Sequence, residues 1–273
     1  MISFGVVQGR LVQSPNGELQ CFPGNLWPDE FVIARENGIK FIELLAEREH
    51  NQSNPLWSSN GREKILQVAK SNGIDLYSSC TDYIINHNIL QPDKDSLSDH
   101  VYAFIDVTAK LGCKNAIFPL LEASNISSDN LEEFSEPIKE YADYAAKQNV
   151  SILLETLLSS EDLFYFLESL NHPNVQCVFD TGNRVQQSKS LSNEIKLLGQ
   201  YIKHVHIKDK DSSGENVILG TGLVNFYEVF KALYEINYSG PFVFETTRGN
   251  DPVSTVNFHM NICKFFYDEA RNK

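Results

Sequence analysis

The sequence predicts a single-domain (β/α)8 TIM barrel over residues 1–273, and three features predict it. The length of 273 residues is close to the ~250 typical of that fold. Apolar runs and amphipathic segments alternate eight times, with no low-complexity stretch or Pro/Gly/Ser-rich linker between them. That alternation is the pattern of parallel strands joined by crossover helices. Third, Glu155, Asp180, His206 and Glu245 each close a short apolar run. An open, doubly wound sheet is the competing arrangement, but no glycine-rich phosphate turn follows the first run.

The runs, rich in β-branched and aromatic residues, place strands at 2–7, 41–45, 75–79, 115–119, 151–155, 176–180, 202–206 and 242–245. Helical patterns fall at about 28–37, 61–72, 96–111, 129–148, 161–170, 190–200, 224–236 and 253–270. Gly38, Gly73 and Gly112 follow the first three helices, where a left-handed cap is needed. Asp129 with Glu132 has the spacing of a capping box opening the fourth. The loop after the first strand, Gln8 to Gly24, is long enough to be functional. It is expected to cover the barrel mouth and to become ordered when a ligand binds.

An apolar fraction of 42% is ample for a large core, and no run reaches the ~18 apolar residues of a membrane span. The start, Met1-Ile-Ser-Phe, lacks a basic segment or cleavage site and reads as a strand rather than a signal peptide. The five scattered cysteines form no CxxC pair. That argues against a disulfide framework or zinc knuckle and points to the reducing cytoplasm. A formal charge of −13 without a Lys/Arg cluster excludes nucleic acid and anionic membrane as expected partners. It leaves small-molecule ligands, anionic ones included, and self-association open.

The four strand-end residues are spaced by 25, 26 and 39 positions, room for a loop, a helix and the next strand each time. Parallel strands joined by helices put their C-terminal ends on one side, and in a closed barrel these converge on the mouth where catalytic groups gather. A lone carboxylate at a strand end is commonly a helix cap or an ion pair; four ligand types at four strand ends together point to a metal. Three carboxylates and one imidazole suit Mn²⁺, Mg²⁺ or Co²⁺, with Zn²⁺ also open. Around them, Glu43 is read as ending the second strand, where it contacts substrate or supports a neighbour. Arg10 is either a bidentate grip on a phosphate or carboxylate or an ordinary loop arginine. Lys208 and Asp209 follow the histidine and would orient ligands or bind substrate hydroxyls. Glu122, Asp82 and His204 are further candidates. Gly220-Thr-Gly222 reads as a tight turn, with anion binding as the alternative. Trp27, Trp57, Phe22 and Tyr83 would form an apolar wall against a sugar ring or ordinary core.

Glu155, the segments Phe179-Asp-Thr-Gly-Asn183 and His204-Val-His-Ile-Lys-Asp209, and Phe244-Glu-Thr246 resemble the sugar phosphate isomerase/epimerase family. Gly220-Thr-Gly222, Tyr238-Ser-Gly-Pro241 and Gln8-Gly-Arg-Leu11 with Phe22-Pro23 and Trp27 extend the likeness over essentially the whole chain. This is the xylose isomerase-like TIM barrel superfamily, which also holds ketose 3-epimerases, inosose dehydratases and endonuclease IV. The resemblance implies one divalent ion on Glu155, Asp180, His206 and Glu245, with Glu155 and Glu245 also acting as acid and base on opposite faces of the substrate. Asn183 stands where many ketose 3-epimerases have a histidine that contacts substrate. Too few strand-end histidines are present for a three-zinc nuclease.

The expected activity is therefore metal-dependent isomerisation or epimerisation of a sugar or sugar phosphate through an enediolate. A lyase dehydrating an inosose or a dehydroshikimate-like polyol uses the same first step, and loss of water distinguishes it. A catalytically silent sugar-binding barrel is the reading from a different class, and it has no need of the two acid/base glutamates.

Overall fold

A computed structural model describes residues 2–15, 17–90 and 94–272. Asn16, in the expected first loop, falls outside the described residues, as does Met1. In chain order the elements are β1 (Phe4–Val7), α1 (Trp27–Glu36), β2 (Phe41–Ala46), α2 (Ser59–Asn72), β3 (Ser78–Thr81), α3 (Tyr83–Asn86) and α4 (Lys94–Lys110). They continue with β4 (Asn115–Pro119), α5 (Leu131–Lys147), β5 (Ser151–Glu155), α6 (Ser160–Leu170), β6 (Val175–Asp180), α7 (Thr181–Val185) and α8 (Leu191–Leu198). Last come β7 (Ile202–Ile207), β8 (Asp209–Lys210), β9 (Asn216–Val217), α9 (Phe226–Glu235), β10 (Phe242–Phe244) and α10 (Pro252–Arg271). Eight strands close a barrel in the order β1-β10-β7-β6-β5-β4-β3-β2, the expected (β/α)8 fold, while β8 and β9 pair as a separate antiparallel ribbon.

The chain divides into two compact units, residues 42–178 and residues 1–41 with 179–273. Within 42–178, parallel pairing aligns Leu45 with Cys80, Cys80 with Ile117 and Ile117 with Leu153. These four and Val178 form one buried layer. The opposite face meets the helices: Ser79, one residue before Cys80, shares a 2.6 Å hydrogen bond with Thr108 of α4. Side chains alternate along a strand, so Glu155, two residues beyond Leu153, shares the face of that layer and stands above it. Glu43, two residues before Leu45, shares the same face below. There it accepts a 2.7 Å bond from Ser78 Oγ. Burying each large apolar side chain of the layer contributes roughly 1.5–3 kcal/mol.

In the other unit, Gly5 pairs with Val243 and Val243 with His206. Parallel partners share a face, so His206, Val243 and Glu245 point the same way. Gly5 has no side chain because a Cβ there would lie 2.0 Å from a Phe41 ring carbon. Helix α9 buries Phe226, Val229, Phe230 and Leu233 along one side, the helical spacing read from the sequence.

Several boundaries differ from expectation. The third strand begins at Ser78 rather than 75, because its paired part is built of small polar residues whose hydroxyls find buried partners in Glu43 and Thr108. Hydropathy therefore placed it too early. The second strand runs on to Ala46, so Glu43 lies inside it and does not end it. The last strand stops at Phe244, and Glu245 follows it, although its N–H still donates to Ile207 O at 3.1 Å. The expected capping box is not formed: Asn130, not Asp129, precedes α5, and its side-chain oxygen accepts instead from Ser127 N. Gly38, Gly73 and Gly112 do adopt left-handed φ angles of 74°, 63° and 77°.

Candidate metal centre

Three residues organise the centre: Asp180 ends β6, His206 is the next-to-last residue of β7 and Glu245 directly follows β10. Asp180 caps α7, its Oδ1 accepting Asn183 N at 2.7 Å, which leaves Oδ2 directed elsewhere. His206 Nδ1 lies 3.7 Å from Asp180 Oδ2 and 3.2 Å from Glu245 Oε2. Lys208 places Nζ 2.9 Å from Asp180 Oδ2 and 2.7 Å from Glu245 Oε2. Arg10 Nη2 lies 3.9 Å from Glu245 Oε1 and donates to Gln20 Oε1 at 2.7 Å. Burial alone would push the Glu245 carboxyl upward, but Lys208, His206 and Arg10 outweigh it and hold it well below the ordinary range.

One ligand atom from each of Glu155, Asp180, His206 and Glu245 lies within 4.8 Å of the others, and the same holds for Glu43, His204 and His206. A donor set of three carboxylates and one imidazole fits a hard divalent ion in both number and chemistry. The sequence-based quartet is thus brought together.

Other expected site residues fall differently. Arg10 is buried, on a loop tied down by hydrogen bonds to its backbone. Gly9, at φ +86°, turns its N–H toward both oxygens of Glu30 at 2.8 and 2.9 Å, and Leu11 N donates to Glu30 at 3.0 Å. A side chain at Gly9 would strike Cys21 O at 2.3 Å. Arg248 binds the same loop from the other side, donating to the carbonyls of Gly9, Glu18 and Leu19 at 2.6, 2.9 and 2.8 Å. The part of the loop that carries Arg10 is therefore held from two sides, by Glu30 and by Arg248.

Asp209 is fully buried and accepts from Gly220 N, Gly222 N and Val224 N at 2.9, 2.9 and 3.0 Å. The anion at the Gly220-Thr-Gly222 turn is the chain's own carboxylate, and α9 starts later, capped by Asn225. Glu122 forms a surface ion pair with Arg48 at 2.7 Å, which lowers its pKa. Asp82 accepts a weak bond from Cys80 Sγ at 3.5 Å. His204 is buried with its ring 4.8 Å from that of His206. Trp27 packs edge-on against Phe31 and, like Phe22, is core. Trp57 and Tyr83 instead gather with His50, His87 and His100, Tyr83 stacking on His100 at 3.7 Å and on His87 at 3.9 Å.

Sequence reasoning missed Glu30 and Arg248. Glu30 sits among the acidic residues of a helix's first turn, where a carboxylate ordinarily faces solvent, and only its partners 19 and 21 residues away reveal it. The available signal was the unexplained Gln8-Gly-Arg-Leu11 motif.

The family model described as xylose isomerase-like TIM barrel matches residues 31–259. The L-ribulose-5-phosphate 3-epimerase UlaE of Escherichia coli (strain K12) is 22% identical over 248 residues, covering 85% of this chain and 87% of that relative. Among solved structures, an L-ribulose 3-epimerase superposes with a TM-score of 0.80 at 16% identity, over 100% of this chain and 96% of that one. A xylose isomerase-like TIM barrel protein from Mycobacterium smegmatis in complex with magnesium gives 0.73 at 17% identity, over 98% and 96%. The chain belongs to the xylose isomerase-like TIM barrel family.

Proposed function

We propose that the protein is a divalent-metal-dependent sugar or sugar phosphate isomerase/epimerase, with Glu155, Asp180, His206 and Glu245 as the metal ligands. The observation that carries the reading is that these four offer ligand atoms within 4.8 Å of one another. The epimerase names of the relatives support a ketose as substrate. The magnesium complex of a family member supports a hard ion, with Mn²⁺, Mg²⁺ or Co²⁺ as the candidates. Residues 1–273 act as one catalytic domain in this reading. The five cysteines are buried and none is in a disulfide, in keeping with a reducing cytoplasm.

When bound, the ion supplies Lewis-acid stabilisation of the negative charge that builds on a carbonyl oxygen as the adjacent carbon loses its proton. The chain's own residues do the proton work. One glutamate of the pair Glu155 and Glu245 removes the proton beside the carbonyl, leaving the substrate as its enediolate. The other returns a proton to the opposite face, which inverts the centre. Whichever of the two acts as base when turnover runs in one direction acts as acid in the reverse direction. Arg10, Asn183 and Lys208 meet the substrate oxygens, and Asp209 and Glu43 hold the surrounding frame.

The test is turnover of a panel of ketoses and ketose phosphates in D₂O. The wild type incorporates solvent deuterium at the reacting carbon without loss of water. Glu155→Gln and Glu245→Gln each block inversion, and one of them retains exchange on a single face. Turnover without exchange, together with full activity in both Gln variants, refutes the assignment.

A further inference from the structure

Lys208 is seated by the three residues that begin with Asp180. Thr181 clamps its backbone: Oγ1 donates to Lys208 O at 2.6 Å and accepts from Lys208 N at 3.0 Å. The aliphatic stem then crosses Gly182, where a Cβ would lie 2.3 Å from Lys208 Cγ and 3.1 Å from Cδ. Gly182 has no left-handed φ, so glycine is required there for space and not for backbone freedom. The ammonium ends between Asp180 Oδ2 and Glu245 Oε2. The Asp180-Thr-Gly182 stretch thus does three things: it supplies an acceptor, fixes the lysine's backbone and clears the path of its stem.

The two oxygens that hold Lys208 belong to two of the residues that would hold the divalent ion, and the same Glu245 Oε2 faces His206 Nδ1 at 3.2 Å. We propose that Lys208 is a built-in exchangeable counter-cation of the centre: it holds Asp180 and Glu245 together by charge, and it competes with a divalent ion for them. The proposal rests on the metal reading above. Two buried carboxylates facing each other without a cation repel and are poorly solvated, which costs stability. An ammonium relieves that cost as a compact charge, and its flexible four-carbon stem lets it withdraw where a planar guanidinium would not. Entry of the ion then releases Nζ toward the substrate side of the mouth.

A lysine that merely orients the ligands makes the opposite prediction, because its removal weakens metal binding. Full-length protein stripped with chelator is titrated calorimetrically with Mn²⁺, and thermal unfolding is followed with and without Mn²⁺. Lys208→Met is expected to bind Mn²⁺ at least about tenfold more tightly than the wild type, by removal of one competing unit charge at contact distance. Its metal-free form melts below the wild type, and Mn²⁺ raises its Tm by more than it raises that of the wild type. Gly182→Ala keeps the charge but pushes the stem aside, and is expected to tighten Mn²⁺ binding as well; it carries the test if Lys208→Met does not fold. Unchanged or weaker Mn²⁺ binding in the variants overturns the proposal. A wild type that binds no Mn²⁺, Mg²⁺ or Co²⁺ overturns the metal reading itself, a distinct result.

Discussion

Glu30 offers a quantitative test of how the Arg10 loop is held. It is fully buried and receives Gly9 N and Leu11 N. Burial pushes its pKa from 4.5 up to about 7, even though those two amides and the charges of Arg248 and Arg10 pull the other way. With the folded value above the unfolded one, the folded protein carries the extra proton between them. The contribution to stability is therefore fully present below pH 4.5 and is lost as pH rises through about 7. Integrating the linkage relation from pH 5 to pH 8 gives a loss of about 2.5 kcal/mol from this one group. Glu30→Gln does not titrate, and its amide oxygen can still receive Gly9 and Leu11. Urea denaturation of both proteins at pH 5 and pH 8 measures the difference. The stability of the variant relative to wild type should shift by about 2.5 kcal/mol in its favour across that interval. Parallel pH profiles for the two proteins refute the reasoning, since groups other than Glu30 are common to both.

Asp209→Ala leaves the N–H groups of Gly220, Gly222 and Val224 without their buried acceptor. It should cost about 3 kcal/mol or more, read as a fall in urea midpoint. Ile117→Ala opens a cavity in the layer with Leu45, Cys80, Leu153 and Val178 and should cost about 2–5 kcal/mol by the same measurement. His206→Ala removes the only nitrogen of the quartet and should abolish most Mn²⁺ retention in equilibrium dialysis while the chain stays folded by circular dichroism. Arg10→Met should raise KM and change Mn²⁺ affinity by less than Lys208→Met does, because Arg10 Nη2 stands 3.9 Å from Glu245 and donates to Gln20, whereas Lys208 Nζ is in contact at 2.7 Å.

Local pattern carried the barrel. Eight apolar runs of strand length, separated by helix-length segments, leave little freedom, since crossovers between parallel strands are right-handed and short. The quartet was legible for the same reason: a ligand at the end of a parallel strand has its height on the barrel set by the strand itself. Glu155 stands two residues above Leu153, and Asp180 two above Val178, so alternation alone puts both carboxylates above the core layer. What sequence could not supply was the identity of partners distant along the chain. Glu30 in an acidic first turn and Arg248 in a late loop look like surface charges. Only the fold brings Arg248 against Gly9, 239 positions away, and Glu30 against the same residue. Lys208 and Asp209 are neighbours in one motif, yet tertiary structure sends one ammonium to Asp180 and Glu245 and the adjacent carboxylate to three backbone amides. Strand alternation determines which side each points to, but which buried group needs a counter-charge or an acceptor is decided by what the other strands and loops have left unpaired there.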